Sequence, residues 1–143
     1  ANAALIGSGT PQSRGAANAP AASHPAWTPH PIQGWTPDFI PFVLQEAIDK
    51  KFYDQVVPIA GPVAIEWSRK LAAKEGIFTG ISGGATFAAS MLVAEKAPAG
   101  SVLLCMLPDT AERYLSSPLF EGIAEGMSPE ETQLSQSTPG FQM

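Results

Sequence analysis

Hydrophobic and polar positions divide the chain into three textures. Residues 1–31 open on the apolar tetrad Ala3 to Ile6 and continue as GSGTPQSRGAANAPAASHPAWTPHP, a Gly-, Ala-, Pro- and Ser-rich run with almost no apolar period. Burial of such a run offsets little of its ordering entropy, so a long mobile loop is expected. The tetrad reads as the tail of a buried strand, and a strand entering at the first residues, which lack a methionine, implies preceding sequence. From Ile32 the texture changes. FIPFVLQEAIDKKF places Pro41 near a helix start, with Phe42, Leu44, Ala47 and Ile48 along the early turns. QVVPI follows as a short strand. GPVAIEWSRKLAAKEG then sets Pro62 in a first turn, Ala64, Trp67 and Leu71 on one stripe and Gly76 just past the end, so a helix starts at proline and stops at glycine. IFTGI reads as a short buried strand. After Ser82, Ala85, Ala88, Ala89 and Leu92 recur at the spacing of a buried helix face whose small residues permit close packing. SVLLCML, Ser101 to Leu107, is an uninterrupted apolar run of the kind buried on both faces of a parallel sheet. DTAE, Asp109 to Glu112, has the spacing of a capping box that opens a helix. Residues 121–143 are polar and turn-rich, a tail expected to wrap the surface or fray.

Alternation of strand and helix with short connections predicts an α/β fold with a mainly parallel sheet. With 143 residues, 45% of them hydrophobic, the chain has material for one domain or for a large piece of a bigger one. Its net charge of -5, with eight scattered Lys and Arg, argues against a nucleic-acid surface, which needs a basic patch. No apolar run approaches the roughly 20 residues of a membrane span. The single cysteine, Cys105, sits inside VLLCML and reads as a small buried hydrophobe rather than a reactive thiol.

Chemistry concentrates in GIFTGISGGATFAASM, around Ser82. Gly80-Ile81-Ser82-Gly83-Gly84 matches the G-x-S-x-G nucleophile elbow of serine hydrolases in its strand-turn-helix setting. In that arrangement the histidine follows the serine, whereas His24 and His30, the two histidines here, both precede it. A phosphate cradle at the same helix start would draw on free N–H groups, but no Walker lysine lies between Lys74 and Lys96. Spacing alone favours a helix cap, with the Ser82 hydroxyl accepting a backbone N–H two or three positions on.

A fourth reading comes from resemblance. The order of IQG…DFIP, AIEWSRKLAAKEGIFTGISGGATFAA, VLLCMLPD and ERYLS resembles the C-terminal part of pyridoxal-phosphate-dependent cysteine synthases (O-acetylserine sulfhydrylases), and more loosely the cystathionine β-synthases. It covers about Ile32 to Phe120. The resemblance implies a three-layer α/β architecture of fold type II, tryptophan synthase β-like, with helices on both faces of the sheet and residues 32–120 as the C-terminal part of the large cofactor-binding domain. It implies that Ser82 faces the pyridine nitrogen of pyridoxal phosphate, where a neutral hydroxyl does not force a proton onto the ring and so weakens the electron sink. Gly34 maps to the substrate side of the cofactor, although Trp35, Thr36, Pro37 and Asp38 replace a smaller, more glycine-rich pattern. Pro108 and Asp109 map close to the ring nitrogen, at the strand end where α/β proteins place ligands. Asp109 otherwise reads as a helix cap, Gly34 as a turn glycine, and Glu112, Arg113 and Tyr114 as a structural ion-pair and packing cluster.

Such enzymes hold the cofactor on a lysine. Lys50, Lys51, Lys70, Lys74 and Lys96 all fall on predicted helix faces or ends, none in the family's S-x-K-[DN]-R setting, and GSGT at Gly7 to Thr10 does not stand where the family has its phosphate loop G-T-G-G-T. The expectation is therefore a C-terminal portion, inactive alone, whose partner is the upstream portion of the same enzyme. The resemblance also implies a cytoplasmic homodimer, a complex with serine acetyltransferase and formation of L-cysteine from O-acetylserine and sulfide. A non-catalytic module that keeps the fold without the cofactor is the competing expectation, and a serine hydrolase the third.

Overall fold

The computed structural model describes residues 2–32, 35, 37–137 and 140. Among them the regular elements are helical: α1 (Asn2–Gly7), α2 (Phe42–Asp49), α3 (Gly61–Glu75), α4 (Ile81–Ala94) and α5 (Pro129–Gln136), with 3-10 turns at Ala16–Asn18, Ala111–Tyr114 and Pro118–Phe120. None is long and apolar enough to cross a membrane.

The fold is organised by α3 and α4. Helix α3 has Pro62 in its first turn and stops at Gly76, whose φ of 68° is the left-handed conformation a C-cap glycine adopts without strain. Small residues then bring α4 against it. A Cβ on Gly84 would overlap the Ala64 carbonyl oxygen and lie 2.7 Å from the Ser68 nitrogen, so the two backbones touch where that side chain is missing. Ser68 is buried and donates at 2.6 Å to the Thr79 carbonyl, fixing the turn that leads into α4. Trp67 and Phe87 extend the contact with ring centroids 5.5 Å apart. Around this crossing Ile32, Ala64, Ile81, Ala85, Ala111 and Leu119 form the buried core. Full burial of a side chain such as Ile81 contributes about 1.5–3 kcal/mol. Arg69, on α3, reaches out of it to donate to the carbonyls of Leu119, Pro118 and Glu121 at 2.7, 3.0 and 2.9 Å, which clamps the Pro118–Phe120 turn to the helix.

Several expectations are corrected. The tetrad Ala3–Ile6 lies in α1, with Leu5 buried, and is helical. The parallel sheet is not formed among the described residues, where strand pairing is confined to the isolated antiparallel bridges Arg14–Pro20 and Thr79–Thr110. Residues 55–59 form no ladder, and Ile81, expected to end a strand, opens α4. Residues 101–107 likewise form no ladder, and Val102 and Leu104 are 96% and 99% exposed. A strand exists through its neighbours' N–H and C=O groups; here the Thr86 hydroxyl, 2.6 Å from the Met106 carbonyl, is what ties the run to α4. Cys105, expected to be buried, is half-exposed. The tail contains α5, opened by a full capping box between Ser128 and Glu131.

The glycine- and proline-rich segment is held by polar side chains instead of apolar ones. Buried Gln12 donates to the Ala22 carbonyl at 2.8 Å and accepts from the Ile40 N–H at 2.9 Å. Buried His24 bonds the Thr10 carbonyl at 2.9 Å, and Arg14 donates to the Ile40 carbonyl at 2.8 Å.

Candidate functional site around Ser82

Gly80 is the N-cap of α4, in an extended conformation, and no side chain caps the helix. Ser82 is therefore inside the first turn, and the helix-cap reading of it is corrected. Its hydroxyl, 3% exposed with the rest of the residue, donates at 3.0 Å to Asp109 Oδ1.

Asp109 is brought there by its own backbone. Its carbonyl accepts from the Thr79 hydroxyl at 3.1 Å and from the Gly80 N–H at 3.3 Å, while the Ala111 N–H donates to the Phe78 carbonyl at 3.3 Å. These bonds lay residues 109–111 antiparallel to the turn before α4. The capping frame sits one residue later than predicted: Thr110 is the N-cap of the Ala111–Tyr114 turn, without a side-chain cap bond. Asp109 is thus released from capping, and its carboxylate reaches across the gap to Ser82. The Thr110 hydroxyl instead holds the Glu112 carboxyl below its usual range. Gly80 makes the reach possible, since a Cβ there would overlap Asp109 Oδ1 and stand 2.5 Å from the Tyr114 ring.

Tyr114 completes the cluster by donating its hydroxyl to Asp109 Oδ2. That bond, aided by burial and by the Asp109 charge, raises the phenol above its usual value. The sequence placed Tyr114 in an ion-pair cluster; the ion pairs among the described residues are Lys50–Glu46 and Lys70–Glu66. No periodic signal marks a tyrosine five positions beyond an aspartate across a 3-10 turn, which is why its bond was missed.

Of the predicted site residues, Ser82 and Asp109 are joined directly, exposed Pro108 adjoins Asp109, and Gly34 lies outside the described residues. All five lysines are exposed. An open apolar groove of about 630 Å³ runs between α2 and α4 past Ala47, Ile59 and Ala89, and neither Ser82 nor Asp109 lines it.

Neither histidine serves Ser82. His24 is engaged by Thr10 and the Ala26 N–H, and His30 by the carbonyl of Ile59 and the N–H of Ile32, each at 3.2 Å. Burial lowers the His30 pKa against the opposing effect of the Ile59 bond. With its one hydrogen directed to a carboxylate rather than to an imidazole, Ser82 lacks the base that the nucleophile-elbow reading needs.

No family model matches the chain. The O-ureido-L-serine synthase of Streptomyces lavendulae is 51% identical over 109 residues, which are 76% of this chain and 32% of that protein. A cysteine synthase of Staphylococcus aureus is 39% identical over 92 residues, 64% of this chain and 28% of its own. The chain is a homologue of one segment of the cysteine synthases. It spans about a third of the length of the curated relatives it matches. Solved structures agree: that of O-ureido-L-serine synthase aligns with a TM-score of 0.65 at 50% identity, over 76% of this chain and 33% of that one. The cysteine synthase of Entamoeba histolytica aligns at 0.59 and 35% identity, over 69% and 28%.

Proposed function

We propose that this chain supplies the pyridine-nitrogen side of the pyridoxal-phosphate site in an enzyme that performs β-replacement on O-acetylserine, with sulfide as nucleophile and L-cysteine as product. The observation that carries the reading is the buried Ser82 hydroxyl on the first turn of α4, hydrogen-bonded to Asp109. The residues fit the group. A pyridine nitrogen needs one polar partner in its plane, and among the described residues nothing donates to the Ser82 oxygen, which leaves its lone pairs unclaimed. When bound, pyridoxal phosphate withdraws electrons from the substrate α-carbon, which lets a leaving group depart from the β-carbon and a nucleophile take its place. Ser82 would meet the ring nitrogen, Asp109 would hold Ser82, and Pro108 would border the ring. Gly34 is assigned to the substrate side. The Schiff-base lysine and phosphate loop are assigned to the remainder of the enzyme, and this chain alone is expected to be inactive.

The same reading accounts for residues 101–107. Side chains exposed along an unbroken apolar run are what a central strand presents when its neighbours are elsewhere, and we assign this run to the fold-type-II sheet of the complete enzyme. A cytoplasmic homodimer able to bind serine acetyltransferase belongs to this proposal. The 51% identity with O-ureido-L-serine synthase, against 39% with cysteine synthase, favours a second nucleophile. Parallel assays for formation of L-cysteine and of O-ureido-L-serine by the complete protein distinguish the two.

Binding of pyridoxal phosphate to the complete protein, followed by its visible band, tests the proposal. Ser82→Ala is expected to weaken cofactor affinity and turnover. Unchanged band, affinity and turnover would remove Ser82 from the site, and a complete protein that binds no pyridoxal phosphate would be the non-catalytic module.

A further inference from the structure

Resting on the assignment of Gly34 to the substrate side, we propose that His30 is a positioning residue: its neutral ring ties Ile32, two residues before Gly34, to the approach of α3, and its protonation releases the tie and weakens binding of the amino-acid substrate. The ring is engaged at both nitrogens. Nε2 lies 3.2 Å from the Ile59 carbonyl, which only accepts, and Nδ1 lies 3.2 Å from the Ile32 N–H, which only donates. The first nitrogen therefore carries the hydrogen and the second the lone pair, which is the neutral imidazole in one tautomer. An imidazolium has a hydrogen on each nitrogen, so its Nδ1–H would meet the Ile32 N–H donor to donor.

Both ends of the tie are anchored. Ile32 is 3% exposed, in the core with Ile81 and Ala85, and Ile59 directly precedes Ala60, the N-cap of α3. Between them Pro31 lies against Gly61, where a Cβ would overlap Pro31 Cγ and stand 2.6 Å from its Cδ, so the segment seats on the start of α3. Pro31 has no N–H, which makes the Ile32 N–H the first donor after the ring. His24-Pro25-Ala26 repeats the arrangement, Nδ1 accepting from the Ala26 N–H and Nε2 bonding the Thr10 carbonyl. Among the described residues the groups facing His30 are uncharged: Leu5 of α1, Trp27 and Thr28 of the loop, and Pro58, Ile59 and Ala60 before α3 share its cavity of about 350 Å³. Burial lowers its pKa, the Ile59 bond opposes this, and the amino group at the chain's start adds to the lowering. The tie is therefore intact above the ordinary 6.5 and is lost as pH falls through the lower folded value.

Steady-state kinetics of the complete protein with O-acetylserine at pH 7.5 and pH 5.5 test the proposal against His30→Gln, whose amide keeps a hydrogen for Ile59 and an oxygen for the Ile32 N–H but does not titrate. The ratio of wild-type to His30→Gln KM cancels the ionisations the two share. It is expected to rise by about twofold or more between the two pH values, and by no more than about tenfold per pH unit. The protection factor of the Ile32 amide should fall over the same interval in the wild type and stay level in the variant. A histidine that serves packing alone would leave the KM ratio flat. A flat ratio in a protein that shows its cofactor band overturns the proposal and leaves the reading beneath it standing, and an Ile32 amide equally protected at both pH values overturns it as well. If His30→Gln fails to fold, the 15N shifts of the wild-type ring decide: a hydrogen on Nε2 alone at pH 7.5 supports the tie, and one on Nδ1 overturns it. A complete protein that binds no pyridoxal phosphate overturns both the proposal and the reading.

Discussion

Replacing Gly84 by alanine sets two effects of opposite sign against each other. Alanine is favoured over glycine within a helix by about 1 kcal/mol, and Gly84 is the fourth residue of α4. Against this, the new Cβ overlaps the Ala64 carbonyl oxygen and stands 2.7 Å from the Ser68 nitrogen and 2.9 Å from its Cβ. Two of those atoms are backbone, so no rotamer change relieves the contact. Reaching a separation of about 3.5 Å requires α3 and α4 to part by roughly 1.5 Å. Overpacking of this kind costs about 1–3 kcal/mol. The movement also stretches the buried Ser68–Thr79 hydrogen bond, worth about 1 kcal/mol. The net expectation is destabilisation by about 1–3 kcal/mol. Urea unfolding of the complete protein measures it, and emission from Trp67, which packs on Phe87 across the same crossing, reports the parting of the helices. A variant as stable as the wild type or more so, with unchanged Trp67 emission, would refute the close contact of the two backbones.

Arg69→Ala removes three carbonyl partners at once and is expected to cost about 1–3 kcal/mol, seen as faster amide exchange over residues 118–123. Arg69→Lys should recover only part, because an ammonium cannot reproduce the planar fork; full recovery would contradict the clamp. His30 titrates below its ordinary 6.5 because burial disfavours its charged form, and its neutral ring accepts from the Ile32 N–H. Its contribution to stability is therefore present above pH 6.5 and lost as the pH falls through the folded value. Urea midpoints at pH 7.5 and pH 5 should differ more in the wild type than in His30→Gln, and equal differences would refute the assignment.

What could be read from the sequence was what local chemistry decides. Pro62 and Gly76 bound α3 because a missing N–H and a left-handed backbone are properties of single residues. The run from Ser101 to Leu107 was legible as apolar, but pairing belongs to neighbours, and the described residues provide none. Of the two readings of Asp109, the helix cap is the one the structure corrects. Aspartate and threonine both suit an N-cap, and nothing in DTAE shows that Thr110 takes the role while Asp109 bonds a serine 27 positions earlier. The capping box of α5 is written in Ser128-Pro129-Glu130-Glu131, but its polar surroundings carry no apolar period that would mark a helix. The place of Ser82 at the start of a helix is legible in GIFTGISGGATFAASM; the direction of its hydrogen needed three dimensions.

The three glycines around Ser82 are obstructed by three different neighbours: Gly80 by Asp109 and Tyr114, Gly83 by Thr79, and Gly84 by the backbone of α3. No single compensating change elsewhere makes room at all of them. A laboratory evolution campaign will therefore find the pentapeptide Gly80 to Gly84 a barren target, and tolerated diversity must be drawn from positions that carry replaceable side chains.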